Sequence, residues 1–222
     1  MPCRTSKRRR LPPHARPWAS LPQDLVELIG WRVLAGDPRD YVRFRAVCSH
    51  WKSSTVCPRG RGLVDQRFHP RRWMMLPEGH GLYPGHPHLG GHVRFFSCST
   101  CAIVRVHLPL FEDHVVLDST DGLLLLHRHP DTAIRLLHLF TGEIAELSPL
   151  LDARASSRCF TEERELRELG IFLRGICAAV TVSATGAISV MLSLDMIQIQ
   201  RVAYATAGDE QWTLWPGNSH FC

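Results

Sequence analysis

Hydrophobic residues follow a helical pattern near the N-terminus and a strand-like pattern toward the C-terminus. Between residues 21 and 56, apolar positions recur at intervals of three and four, which predicts short amphipathic helices. From residue 93 onward, short apolar segments alternate with turn residues such as Gly, Asp and Thr, which predicts successive β-strands. The pattern therefore predicts an α+β chain in which helices precede an antiparallel β-meander.

The first predicted helix covers residues 22–34. Proline is tolerated in its first turn, and Asp24 places negative charge near the positive end of the helix dipole. Leu25, Leu28, Ile29 and Val33 fall on one apolar face, and Gly36 is predicted to end the helix.

Two further short helices are predicted before residue 57. The Asp37-Pro38 pair is typical of an N-cap followed by a first-turn proline, and it starts the second helix. Tyr41, Phe44 and Val47 are predicted to lie on one side of that helix. The third helix covers residues 49–56 and carries Trp51. Three short helices bury little surface alone, so we expect this unit to need a partner.

Ten strands are predicted in the C-terminal part, separated by turn pairs such as Thr141-Gly142. They cover residues 93–96, 102–107, 114–118, 122–127, 133–140, 143–147, 171–182, 187–194, 198–205 and 211–215. The charged segment 161–169 is predicted to be a surface helix or part of a long loop. Residues 58–92 read as a loop-like linker.

Positive charge is concentrated in the leader formed by residues 1–17, which is rich in proline and is predicted to be disordered. The chain has a net charge of +5. The leader is either a solvated tail or a basic patch for nuclear import or nucleic acid. It lacks the apolar region of a secretory signal, and no apolar run suits a membrane span. We expect a nuclear or cytoplasmic protein, with no membrane partner.

The eight cysteines, in a chain without a secretory signal, are expected to be reduced thiols. Cys98 and Cys101 form a C-x-x-C pair, but a structural zinc site normally needs a second pair at similar spacing. His80, His86 and His88 lie in a Gly- and Pro-rich stretch, as does His92, and are expected to be solvated. No metal and no cofactor are predicted.

Catalytic motifs are missing from the sequence. It contains no G-x-S-x-G, no G-x-x-x-x-G-K and no H-E-x-x-H, which are motifs of hydrolases, phosphate-binding loops and zinc proteases. We therefore expect a protein that is not an enzyme. Nucleic-acid binding is an alternative, but the basic leader has no interleaved aromatic residues on which bases could stack.

The N-terminal motifs occur in a fixed order along residues 18–57. They are Leu21-Pro22-x-Asp24-Leu25, then Ile29, Val33 and Asp37, then Val42-Arg43-Phe44-Arg45-Ala46-Val47-Cys48, and finally Trp51. This arrangement resembles an F-box. A lone LPxDL would be a weak match, whereas LPxDL followed by RFRxVCxxW is hard to obtain by chance.

Four short motifs in residues 93–222 are similar to the propeller-type (kelch- or WD-like) domain found beside F-boxes in a large plant family. They are Phe95-Phe96 with Val106-His107-Leu108-Pro109, Asp118-Ser119-x-x-Gly122-Leu123-Leu124-Leu125, Leu139-Phe140-Thr141-Gly142-Glu143 with Leu147 and Pro149, and Gly208-Asp209-x-x-Trp212-Thr213. A blade takes roughly 40–45 residues, so about three blades are expected. That would be an incomplete β-propeller, since closed propellers need about four to eight.

The resemblance implies a substrate-receptor subunit of a Skp–cullin–F-box ubiquitin ligase. The F-box would dock a Skp-type adaptor and, through it, cullin, while the β domain would present an unknown target protein. A truncated protein that binds the adaptor without delivering a target is the alternative within this family, and a basic nucleic-acid-binding module is the alternative outside it.

Ten residues between positions 18 and 57 are expected to bind the adaptor. They are Leu21, Pro22, Asp24, Leu25, Leu28, Ile29, Val42, Phe44, Val47 and Trp51. Aliphatic and aromatic anchors carry most of the energy in such interfaces. Some of these side chains must instead pack the unit's own interior, and Trp51 and Val33 are the first candidates. The Leu21, Pro22 and Leu25 end is expected to be interface.

Overall fold

Three helices lead into three antiparallel sheets in the computed structural model of the protein, which describes residues 18–76, 91–128, 132–150, 175–196 and 199–215. The predicted order, helices before antiparallel sheets in an α+β chain, is confirmed. The leader 1–17, the predicted helix 161–169 and the histidines at 80, 86 and 88 lie outside the described residues.

The helices are α1 (Gln23–Gly36), α2 (Pro38–Arg45) and α3 (Ser49–Ser53), preceded by a 3-10 turn at Trp18–Ser20. We call residues 18–57 the helical unit. Helix α1 runs two residues past its predicted end at 34 because its stop is set by Asp37, which is extended. Proline disfavours the helical conformation of the residue before it. Because Pro38 directly follows Asp37, Asp37 is extended and α1 ends. The Asp37 side chain accepts a hydrogen bond from the Arg39 N–H at 2.7 Å, so it caps α2 as predicted.

Eleven strands form three sheets among the described residues. The first sheet contains β1 (Trp73–Met75), β2 (His92–Ser97) and β3 (Ala102–His107). The middle sheet contains β4 (His114–Thr120), β5 (Leu123–Arg128), β6 (Ile134–His138) and β7 (Ile144–Leu147). The last sheet contains β8 (Cys177–Val182), β9 (Ile188–Met196), β10 (Ile199–Thr206) and β11 (Thr213–Trp215).

Each sheet is an up-and-down meander in which sequential strands are neighbours. Strands β2 to β11 overlap the ten predicted strands, while β1 was not predicted. Three residues are too few to show a two-residue period, and Trp73 to Met75 gain their strand character only by pairing with β2. Within the described residues, none of the three sheets closes on itself.

The middle sheet is buried on both faces. On one face, Leu117, Leu123 and Leu125 pack with Val190 and Leu192 of the last sheet. On the other face, further side chains pack with the first sheet, namely Val116, Leu124, Leu126 and Leu137 against Val93 and Phe95. Continuous apolar runs such as residues 123–126 suit a strand covered on both faces. The three sheets therefore stack in chain order around two hydrophobic cores.

Residues 58–76 connect the helical unit to the middle sheet. The Phe68 ring lies 6.1 Å from Trp31 and 5.9 Å from Tyr41, measured between centroids, and its carbonyl accepts a hydrogen bond from His138 Nε2 at 3.1 Å. The Glu143 carboxylate accepts hydrogen bonds from the Gly60 and Leu63 N–H groups at 2.6 and 3.3 Å. This part of the predicted linker is thus packed, with a 3-10 turn at Gln66–Phe68 and strand β1.

The first sheet contacts the helical unit directly. The Ser99 hydroxyl donates to the Gly36 carbonyl at 2.7 Å, and the Ser97 hydroxyl donates to Asp37 at 3.4 Å. The Arg39 guanidinium lies 5.7 Å from the centre of the Trp73 ring, which is a cation–π distance. These contacts and those of Phe68 fix the helical unit against two of the sheets.

Gly122 is expected to be intolerant of a side chain. Its φ of +80° favours glycine, and a Cβ there would overlap the Pro70 carbonyl oxygen, which accepts from the Trp73 N–H at the start of β1. Gly142 has a φ of +70° with no atom within 4 Å of a Cβ. Gly142→Ala should cost about 1–2 kcal/mol from backbone strain alone. Gly122→Ala should cost a further ~1–3 kcal/mol from overlap, measured by urea unfolding. Equal costs would contradict the close approach.

Acid is expected to destabilise the packing of residues 58–76 against the middle sheet, because His69 and His138 are buried there. Burial lowers the pKa of His69 and of His138 below the ordinary value of 6.5. In the folded state both imidazole rings are therefore held neutral. Below pH 6.5 the unfolded state binds more protons than the folded state. The stability contributed by the two neutral rings is fully present above pH 6.5 and is lost as the pH falls.

The measurement is the free energy of unfolding from neutral pH to about pH 5. The decline should become shallower in His138→Gln, because this substitution removes a buried ring whose pKa is lowered by burial. Wild-type stability that does not change over this range would contradict the assignment.

Candidate functional site

The interior of the helical unit is built from a face of α1 other than the one that carries Leu25, Leu28 and Ile29, which are expected to bind the adaptor. The buried residues of α1 are Val26, Gly30 and Leu34, at intervals of four. A Cβ at Gly30 would lie 3.0 Å from the Thr55 methyl group and 3.4 Å from the rings of Phe44 and Tyr41. Glycine therefore lets α2 and the end of α3 approach α1 closely.

Four of the expected adaptor-binding residues have large exposed apolar side chains. Leu25 is 43% exposed, Leu28 50%, Val42 53% and Val47 59%. We call these four residues the exposed apolar set. Each is an aliphatic side chain of a kind that is usually buried, and two of them lie one turn apart on α1. The helical unit thus presents apolar area that its own packing leaves in contact with solvent.

The segment that leads into α1 is held by one hydrogen bond from α3 and one to the preceding 3-10 turn. The Leu21 carbonyl accepts from His50 Nε2 at 2.8 Å, and the Leu21 N–H donates to the Trp18 carbonyl at 3.3 Å. Leu21 is half-buried, while Pro22 and Asp24 are exposed. Pro22 occupies the N-cap position of α1, and Asp24 stands in its first turn, where negative charge is favourable.

The remaining expected residues, Ile29, Phe44 and Trp51, are half-buried. The rings of Phe44 and Trp51 stack with centroids 4.4 Å apart, and Trp51 Nε1 donates to the Trp18 carbonyl at 3.3 Å. These contacts bring Phe44 and Trp51 together with the segment that leads into α1. Trp51 was expected to help pack the unit's interior; its ring is half-buried against Phe44, and its hydrogen bond to Trp18 lies at the surface.

Charged groups around α2 hold the unit together and leave no unpaired buried charge. The Arg45 guanidinium donates to the Thr55 hydroxyl at 3.1 Å and to the Lys52 carbonyl at 3.3 Å, which joins α2 to the end of α3. The Tyr41 hydroxyl donates to the Val56 carbonyl at 2.8 Å, and burial raises its pKa. Neighbouring Cys57 has its pKa lowered by a hydrogen bond with the Arg59 backbone and by Arg45.

Sequence reasoning missed Trp18 as a candidate. Its side chain is 73% exposed, while its carbonyl accepts the hydrogen bonds of Leu21 and Trp51. The available signal was its place three residues before Leu21 of the Leu-Pro pair. An exposed indole beside an apolar surface is a common anchor in protein interfaces, so Trp18 extends the candidate surface.

The exposed apolar set is suited to contact with an apolar surface of a partner. Within the described ranges, no three His, Cys, Asp or Glu side chains converge to hold a metal ion. Cys98 and Cys101 are exposed in the turn between β2 and β3, and Cys48 and Cys57 lie beside α3. No helix in the part of the chain that the structure describes is long and apolar enough to cross a membrane.

Comparisons with known proteins identified no relative of this chain. No protein-family model matches the chain, and no curated protein or solved structure is significantly similar to it.

Alanine substitution can distinguish residues that stabilise the helical unit from residues that are exposed on its surface. Trp51→Ala should lower the free energy of unfolding by about 1–3 kcal/mol, since it removes a half-buried aromatic stack and a hydrogen bond. Val47→Ala should change it by less than ~0.5 kcal/mol, because the side chain is exposed. Chemical denaturation measures both values. A loss for Val47→Ala as large as that for Trp51→Ala would show that Val47 belongs to the interior.

Proposed function

We propose that the helical unit is an F-box and that the protein is a substrate-receptor subunit of a Skp–cullin–F-box ubiquitin ligase. The observation that carries the proposal is the exposed apolar set, found within a three-helix unit whose sequence contains LPQDL and RFRAVCSHW. An F-box must offer an apolar surface to its adaptor, and Leu25, Leu28, Val42 and Val47 provide one.

Docking would use residues of two kinds. The exposed apolar set and Pro22 would bury against the adaptor, with Asp24 at the rim. The half-buried residues Leu21, Ile29, Phe44 and Trp51 would hold the unit in shape and contribute their exposed edges. Interface energy concentrates in a few apolar anchors, and truncating one typically costs about 1–2 kcal/mol or more.

The β-sheets would present the target. We propose that the three meanders are propeller-type blades, because sequential strands are neighbours in each sheet and the sheets stack face to face in chain order. Loops at the ends of such sheets are the usual place for recognition residues. The target would be a protein, encountered in the nucleus or cytoplasm.

The receptor would act by proximity and carry out no bond chemistry. A ligase complex accelerates ubiquitin transfer by holding the target beside a charged conjugating enzyme. This requires a fixed geometry between adaptor and target. The packing of Phe68 against Trp31 and Tyr41, together with its hydrogen bond to His138, supplies a rigid joint between the helical unit and the middle sheet.

Adaptor capture tests the proposal. Leu25→Ala with Leu28→Ala should weaken binding of a purified Skp-type adaptor by at least ~10–30-fold, since two anchors are lost. The matched control is Met191→Ala with Leu214→Ala on the last sheet, where both side chains are about as exposed.

Calorimetric titration of the full-length protein with the adaptor measures the affinity, and far-ultraviolet circular dichroism checks folding. The control pair should bind like wild type. Equal affinity of all three proteins, or no adaptor binding by wild type, would refute the assignment.

A further inference from the structure

The turn between β2 and β3 carries two thiols. Residues 98–101 form this turn, and the pairing of the two strands ends at Ser97 opposite Ala102. Cys98 and Cys101 are the first and the last residue of the turn. The C-x-x-C pair of the sequence is therefore placed where the chain reverses its direction.

The turn brings the two cysteines within the reach of one covalent bond. Opposite residues of an antiparallel pair have Cα atoms about 4.5–5.5 Å apart, and each cysteine is the next residue inward from such a pair. The Cα atoms at the ends of a four-residue turn lie within about 7 Å of each other. A disulfide joins residues whose Cα atoms are about 4.4–6.8 Å apart. Cys98 and Cys101 are thus held at a separation that suits a disulfide.

Hydrogen bonds to two other parts of the protein fix the backbone of the turn. The Cys98 N–H donates to the Arg72 carbonyl, directly before β1, at 2.8 Å. The Ser99 hydroxyl donates to the Gly36 carbonyl at the end of α1, at 2.7 Å. A segment that is already ordered loses little further freedom when its ends are joined. The fold therefore prepares the two thiols for reaction with each other.

Cys101 has a left-handed backbone conformation, with a φ of +54°. This conformation favours glycine, which has no Cβ. Replacement of Cys101 by glycine should therefore remove the thiol and keep the shape of the turn. The position offers a variant that separates the chemistry of the thiol from the folding of the hairpin.

Both thiols of the turn are exposed to solvent, so a dissolved reagent can reach them. Exposure matters because buried structural cysteines are inert, whereas reactive ones are accessible. Cys177, the first residue of β8, is exposed as well and is not part of a C-x-x-C pair. It provides a comparison in which a thiol is accessible but is not joined to a second one by a turn.

We propose that Cys98 and Cys101 form a redox-responsive dithiol, which low-molecular-weight disulfides convert to an intramolecular disulfide. One protein thiolate attacks a sulfur of the small disulfide, which forms a mixed disulfide and releases one small thiolate. The second protein thiolate attacks the protein sulfur of the mixed disulfide and releases the other small thiolate. The two protons of the protein thiols end on the released thiolates, so the small disulfide is reduced and the protein pair is oxidised.

Equilibration of the purified full-length protein with mixtures of reduced and oxidised glutathione tests the proposal. After free thiols are alkylated, trypsin cleaves behind Arg94 and Arg105 and releases residues 95–105, which contain both thiols of the turn and no other cysteine. Mass spectrometry of this peptide distinguishes an internal disulfide from two alkylated thiols and from a glutathione adduct. A synthetic peptide of residues 95–105 measures the same pair without the fold.

The expected result is an internal disulfide between Cys98 and Cys101 in the full-length protein. Its formation constant against glutathione should be at least ~10-fold larger than in the synthetic peptide, because the fold holds the thiols together before they react. Modification of Cys177 should require a larger share of oxidised glutathione, since no second thiol completes its reaction.

Single variants separate the two-thiol reaction from simple modification of an exposed cysteine. In Cys98→Ser, the remaining Cys101 should retain glutathione as a mixed disulfide. Cys101→Gly should do the same for Cys98, and it serves if Cys98→Ser fails to fold. Cys177→Ser is the matched control and should leave the formation constant within ~2-fold of wild type, because distant sites act independently.

Two results would overturn the proposal. One is a wild-type peptide 95–105 that carries glutathione, or stays reduced, at every glutathione ratio that modifies Cys177. The other is a formation constant in the full-length protein that is equal to or smaller than that of the synthetic peptide, because the fold would then give the pair no advantage.

Discussion

The contact of Phe68 with Trp31 and Tyr41 is the constraint on which the relation between helices and sheets depends. One aromatic side chain completes the interior of the helical unit, while the carbonyl of the same residue is tied to His138 in the middle sheet. Because a large buried ring contributes about 1.5–3 kcal/mol, this one residue couples the stability of two units. Gly60 and Leu63, held by Glu143, restrict the same segment from its other end.

The helical unit and the middle sheet differ in how much of their apolar surface they bury. The middle sheet is covered on both faces by its neighbours, so most of its apolar residues are buried, although Ile144 of β7 is exposed. The helical unit buries Val26, Leu34 and Tyr41 and leaves several aliphatic side chains in solvent. Exposed apolar side chains therefore occur on the helical unit, such as Leu25 and Leu28, and on the first and last sheets, such as Ile103 and Leu214.

Local sequence signals predicted the elements well where the cause was local. The Asp37-Pro38 pair located the break between α1 and α2, and turn pairs such as Thr141-Gly142 separated the strands. The pattern showed the apolar face of Leu25, Leu28 and Ile29, which was expected to be interface, but it did not identify Val26, Gly30 and Leu34 as the buried face of α1, because apolar residues occur on both sides of that helix. Strand β1 and the packing of Phe68 depend on residues far along the chain, which no local signal records. The exposure of Leu25 and Leu28 likewise follows from tertiary packing.

The hydrogen bonds of Glu143 have a consequence for how the protein is made. They join residues 83 and 80 positions apart, so the helical unit and residues 58–76 leave the ribosome well before their partner. At ~5–20 residues per second, the delay is roughly 4–17 s. During that interval Leu63 has no sheet to pack against and the Phe68 carbonyl lacks its bond to His138, so the nascent chain exposes more apolar surface than the finished protein. An adaptor or chaperone that binds cotranslationally would meet the helices in this less covered state.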